Sequence, residues 1–115
     1  MRTRDMRIES ASSTRTDDPA FTLSVTKRGR HRVVRVGGEL DIATRARLRH
    51  ACLSGRGNVV VVDMAQTTFM DCSGYSGLVD ARLMLQASGG SLTLRHQTGQ
   101  PAQLLNMLVR LHPPS

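Results

Sequence analysis

The chain is 115 residues long, with 39% hydrophobic residues, 3% aromatic ones and a formal net charge of +7. That is one domain's worth of sequence with an aliphatic core, and no apolar run approaches the ~20 residues needed to span a bilayer. The N-terminus, Met1 to Arg7, has no apolar stretch behind it and does not read as a secretory signal, so a cytoplasmic location is expected.

Residues 1–20 hold four arginines and four acids without periodicity, and they read as a disordered tail ahead of a domain at 21–115. Phe21-Thr22-Leu23-Ser24-Val25-Thr26 alternates apolar and polar, the pattern of a half-buried strand. Lys27 to Arg30 reads as a turn, and His31 to Val36 as a second strand completing a hairpin. Gly37-Gly38 is expected to break that strand, and Asp41 or Thr44 can cap a helix running to about Leu53. The β-branched run Val59–Val62 is a third strand ended by Asp63, with Met64–Met70 as a connector. Tyr75 to Gln86 carries leucines and alanines at helical spacing, and Ser91 to Arg95 is a fourth strand. A last helix opens at Pro101, with Leu104, Leu105, Leu108 and Val109 apolar, and Pro113-Pro114 stops it. The order ββαβαβα predicts an α/β domain with a mixed four-stranded sheet and helices packed on it.

The positive charge is concentrated. Residues 27–56 carry nine basic groups, from Lys27 to Arg56, against Glu39 and Asp41, which accounts for the whole formal excess. Such a field suits an acidic partner surface; its plainer role is to keep a small protein soluble. Cys52 and Cys72 lack CxxC spacing, and His50 and Cys52 are two apart, which on a helix points them away from each other. Neither a disulfide framework nor a metal site is expected, and no cofactor.

The most informative stretch is Val59–Leu85, in which Asp71-Cys72-Ser73-Gly74 is a small polar turn between a strand and a helix N-terminus. That turn's plain structural role is a cap, in which Asp71 or Ser73 accepts from exposed helix amides. Taken with Gly38-Glu39-Leu40-Asp41 upstream, the valine strand ending in Asp63-Met64, and Phe69-Met70 ahead of the turn, it resembles the STAS family of anti-sigma-factor antagonists. The later pieces Ser91–Leu94 and Pro101–Leu105 agree in order and spacing, so the resemblance runs from about Phe21 to Leu111. STAS domains usually continue into a further strand and helix, so by this resemblance the domain is C-terminally short.

The resemblance implies a non-enzymatic anti-anti-sigma factor. It would bind an anti-sigma factor, a serine kinase of the histidine-kinase-like ATPase type, and so release a sigma factor by partner switching. ATP would belong to that partner, and a phosphatase would be a further one. By resemblance, Asp41 lies beside the Asp71 turn, and Asp41, Asp71, Cys72, Ser73 and Gly74 form the partner-binding surface. The residue after the aspartate is the serine phosphorylated in such antagonists; here it is Cys72, with the hydroxyl one residue later at Ser73. Either phosphate goes to Ser73, or the domain is an unphosphorylated scaffold or sensor module. A redox role for Cys72 is a third option, although a helix N-terminus attracts a thiolate while adjacent Asp71 repels it.

Catalysis finds no support in the residues. Ser73-Gly74-Tyr75-Ser76-Gly77 is not a P-loop, and Asp71 stands where a GxSxG elbow needs glycine. A nucleic-acid-binding basic domain is the alternative from another class, resting on the +7 charge and on Arg45 and Arg49 sharing a helix face. The scarcity of aromatics for base stacking weighs against it.

Overall fold

A computed structural model describes residues 20–54 and 58–111, with side chains to Leu108. The tail at 1–19, Arg56 and the Pro113-Pro114 stop lie outside the described residues. Seven elements follow in the expected order: β1 (Phe21–Arg28), β2 (His31–Leu40), α1 (Arg45–Leu53), β3 (Val59–Met70), α2 (Cys72–Ala87), β4 (Ser91–Arg95) and α3 (Gly99–Leu111). The four strands form one sheet in the order β1-β2-β3-β4. The first pair is antiparallel and the other two are parallel, so the sheet is mixed, as the sequence predicts.

Alternation along the strands gives the sheet two unlike faces. Val34 and Val36 of β2, Val60, Val62 and Met64 of β3, and Leu92 of β4 are buried with Phe21 against Leu48, Ala51 and Cys52 of α1 and Leu78, Ala81 and Leu85 of α2. Leu105 of α3 joins the same cluster. On the other face the row Thr26, Val33, Val61, Thr93 crosses all four strands in register and is only half-buried or exposed.

Two strands are longer than their sequence pattern suggests. Gly37-Gly38 does not break β2, which runs on to Leu40 through register shifts at Arg35/Gly37 and Gly38/Glu39. Gly38 adopts φ +85°, and a Cβ there would lie 1.9 Å from the Ala20 carbonyl oxygen, so the glycine lets β1 enter close beside a bulge. The Glu39 amide donates to that carbonyl at 2.7 Å. Met64–Met70, expected as a connector, is the second half of β3. There Met64, Thr67 and Met70 are buried at intervals of three, and the bulged pairing with β2 erases the two-residue alternation that marks a strand. The Thr67 hydroxyl donates to the Val36 carbonyl at 2.8 Å and fixes this register. Asp63 is therefore mid-strand. Its carboxylate accepts from the Ala65 amide at 3.0 Å and meets His96 at 3.2 Å and Arg95 at 3.6 Å.

One basic residue counted as surface charge is internal. Arg32 is 2% exposed, on the core face between Val34 and the sheet's lower end. Its guanidinium donates to the carbonyls of Ala51, Cys52 and Ser54, the last turn of α1. A helix ends with carbonyls that have no intrahelical donor and with the negative end of its dipole, and Arg32 answers both. Burial also pushes the neighbouring Cys52 thiol up to about 12, the Arg32 charge offsetting part of that rise.

Arg32→Met should keep much of the volume but leave three carbonyls without their donor. The expected loss is about 3 kcal/mol, or more than 10 °C in Tm, read by thermal denaturation. Asp63 gives a pH-dependent counterpart. The Ala65 amide first, then His96 and Arg95, hold its carboxyl below the ordinary range despite burial. A depressed folded pKa contributes stability above the unfolded value of about 4, and that contribution is lost as pH falls through the folded one. Asp63→Asn should therefore be less stable than the native chain in urea at pH 7, with the gap closing as pH falls below about 4.

Candidate functional site

The sheet's upper end is where β2 and β3 hand over to α1 and α2. Leu40 and Met70 are register partners, so Asp41 and Asp71 follow as the next residues on neighbouring parallel strands, whose backbones run about 5 Å apart. The Asp71 amide donates to the Leu40 carbonyl at 3.3 Å. Gly74, in the first turn of α2, sits against the same group: a Cβ there would lie 2.3 Å from the Leu40 oxygen. This close approach joins the two segments that carry the candidate residues.

Each acid organises its own turn. Asp71 is the N-cap of α2, in extended conformation, and its carboxylate accepts from the Gly74 amide at 2.9 Å. Ser73 does not cap. Asp41 accepts at its carboxylate from the Ala43 amide at 3.0 Å, and its carbonyl accepts from the Arg45 amide at 2.9 Å. Thr44 occupies the formal cap position of α1 but makes no side-chain cap. Its hydroxyl is buried instead, accepting from the Asp41 amide at 3.0 Å and lying 2.9 Å from the Glu39 carbonyl and 3.2 Å from the Asp41 carboxylate. Thr44 thus holds Asp41 in place.

The helix starts at Cys72, three residues before the leucine periodicity shows it. Cys72 and Ser73 are its first two residues, where backbone N–H groups lack intrahelical acceptors. Cys72 is exposed and Ser73 is half-buried. Ser73 is four residues before Gly77 and so shares its side of the helix, the side on which the Arg45 side chain abuts Gly77. Among the described residues the Ser73 hydroxyl makes no hydrogen bond.

Three features escape a reading of the sequence. Ile42 is 67% exposed and Phe69 41%, large apolar side chains flanking the Asp41 and Asp71 turns. Gln100, at the start of α3, pairs with the Met70 backbone in both directions at 2.8 Å, tying α3 to the residue before Asp71. A glutamine beside a helix-opening proline carries little local signal. The exposure of Ile42 and Phe69 depends on where β2 and β3 end. Among the described residues no group of three or more His, Cys, Asp or Glu side chains could hold a metal ion, and no helix is long and apolar enough to cross a membrane.

A mixed sheet with helices packed on it, and an aspartate-capped turn beside a second acidic loop, define a small α/β module of the STAS type. The family profile for the STAS domain matches residues 22–110, and the chain belongs to that family. No curated protein sequence matches it. Among solved structures it is similar to an anti-sigma factor antagonist from Mycobacterium paratuberculosis, at 23% identity and TM-score 0.61 over 85% of this chain and 88% of that one. It is also similar to the antagonist SpoIIAA in its unphosphorylated form, at 24% identity and TM-score 0.58, covering 82% and 84%. An antisigma-factor antagonist STAS domain from Rhodobacter sphaeroides gives 24% and 0.57, covering 68% and 88%. At these identities the likeness speaks for the fold.

Gly74→Ala should disrupt the junction, because the clash is with backbone rather than a mobile side chain. The expected cost is about 1–3 kcal/mol with faster exchange of the Asp71 amide, measured by thermal melts and hydrogen exchange.

Proposed function

We propose that this STAS domain is an anti-sigma factor antagonist whose residues 21–115 act as a binding module without chemistry of its own. It would engage an anti-sigma factor of the serine-kinase, histidine-kinase-like ATPase type, with ATP carried by that partner and a phosphatase resetting the pair. Binding would exclude the sigma factor and release it for transcription in the cytoplasm. The observation that supports this reading is the junction at Leu40, which brings the Asp41 and Asp71 turns together with Cys72, Ser73 and Gly74 on one end of the sheet. Ile42 and Phe69 add apolar anchors beside that polar turn, the combination that gives an interface a buried centre and an oriented rim.

A second reading keeps the partner and drops the switch. The exposed first position of α2 is a thiol, and the hydroxyl one residue later is half-buried on the side facing α1. A kinase that reads the exposed position would meet a group it does not phosphorylate, leaving the domain a constitutive binder or scaffold. A nucleic-acid role has less support, because α1, which carries Arg45, Arg47 and Arg49, has Arg47 over the Phe21 ring and Arg49 near Asp80.

The full chain should retain a small ATPase from lysate of its source organism with ADP and lose it with ATP, with one phosphate on Ser73 that Ser73→Ala abolishes. Retention under both conditions, without phosphate, would establish the unswitched reading. Asp41→Ala should weaken retention about tenfold or more while lowering stability by only about 1 kcal/mol, the worth of a capping carboxylate. No ATPase in either condition would remove the antagonist reading.

A further inference from the structure

The charge of the described residues is sorted along the sheet. From His31 to Leu40, β2 spans nine steps, about 30 Å. Its Leu40 end carries Glu39, Asp41 and Asp71. Its His31 end is the β1–β2 hairpin, where Lys27, Arg28, Arg30 and His31 are all exposed. The two-residue turn Gly29-Arg30, with Gly29 at φ +57°, sets these four groups around one tip.

Four other cations are engaged elsewhere, and Arg35, Arg45 and Arg82 are spread over β2, α1 and α2. Arg32 is inside, Arg47 lies over Phe21, Arg49 is near Asp80, and Arg95 is near Asp63. Among the described residues no carboxylate pairs with the hairpin cations. The five described acids are accounted for at the far end of β2, at Asp63, and at Asp80 on α2. The hairpin is therefore where unneutralised positive charge gathers.

We propose that the β1–β2 hairpin is a second docking surface, fitted to an acidic segment of a partner protein. Two observations favour carboxylates over nucleic acid. The starts of β2, β3 and β4 align at His31, Val59 and Ser91, so only Gly29 and Arg30 project beyond the sheet. That projection presents neither a helix nor a free two-stranded ribbon to lie in a major groove about 8.5 Å deep. Nor is there an aromatic platform for unpaired bases: Phe21 is buried, and Phe69 and Tyr75 belong to the opposite end. What remains is a rim of guanidinium and ammonium donors, which match carboxylates in charge and, for arginine, in bidentate geometry. Because the two ends are about 30 Å apart, an acidic partner held here leaves the Asp71 turn free, and the domain can bridge two proteins.

The test uses the full chain and backbone amide NMR, with a synthetic oligoglutamate peptide as probe and a DNA duplex of equal charge in a parallel arm. Shifts confined to residues 27–31 and weakening with salt are expected. R28E/R30E removes two exposed pairs and adds two repulsions, so it should weaken peptide binding about fivefold or more. The charge-matched R49E/R82E variant should change it by less than about twofold, since those side chains lie on the helices. Equal losses in both variants, shifts centred on α1 or α2, tighter binding of the duplex at the same salt, or no binding would each overturn the proposal. The test uses neither the ATPase nor Ser73, so its outcome is independent of the antagonist reading.

Discussion

Everything at the upper end of this domain depends on how closely α2 can approach the Leu40 carbonyl. That oxygen accepts from the Asp71 amide and leaves no space for a side chain at position 74. A helix held this near a neighbouring strand end has its first amides beside the loop that opens α1, so two acidic turns that are thirty residues apart in sequence share one surface. The cap geometry reinforces the contact: Asp71 binds the Gly74 amide, so the same short segment satisfies the helix start and meets Leu40. Gln100 adds a third support by locking α3 to the Met70 backbone. The turn is thus braced from β2, from its own helix and from α3 before any partner arrives, which reduces the ordering entropy that binding must overcome.

The lower end is closed by a different device. The last turn of α1 places carbonyls near the start of β2, and Arg32 reaches inward to meet them. Burying a guanidinium is costly unless its donors are satisfied, and here they are spent on groups that would otherwise be unsatisfied themselves. The neighbouring cations on the hairpin have no such internal use. One hairpin therefore carries both a structural arginine and, two to five residues before it in the chain, the exposed charges of the tip. The alternation of strand side chains separates Arg32 from its neighbour His31.

The element order and the mixed sheet were legible because valine runs and leucine periodicity are local signals. The bulged halves of β2 and β3 were not, since Gly37-Gly38 reads as a break and burial at Met64, Thr67 and Met70 follows no period of two. The first turn of α2 was hidden for a related reason: Cys72, Ser73 and Gly74 are poor helix formers, and a cap and a tertiary contact hold them helical. Arg32 could have been placed inside, because Arg32, Val34 and Val36 alternate on one face; its charge argued against the position its spacing favoured. Asp41 and Asp71 are legible as helix caps, and a contact role for them is proposed through family resemblance. Their adjacency rests on the parallel register of Leu40 and Met70, which no local pattern reports.

The two small residues after Asp71 differ in what the fold lets them do. Cys72, at the first helical position, faces solvent, while Ser73 turns toward the side where Arg45 packs on Gly77. A phosphate at either position would gain from the helix N-terminus and be repelled by Asp71, so the local field does not choose between them. Access is what distinguishes them. The first helical position is exposed, whereas Ser73 is half-buried. Moving the hydroxyl by one residue rotates it about 100° around the helix, and the two proposed readings differ by that rotation.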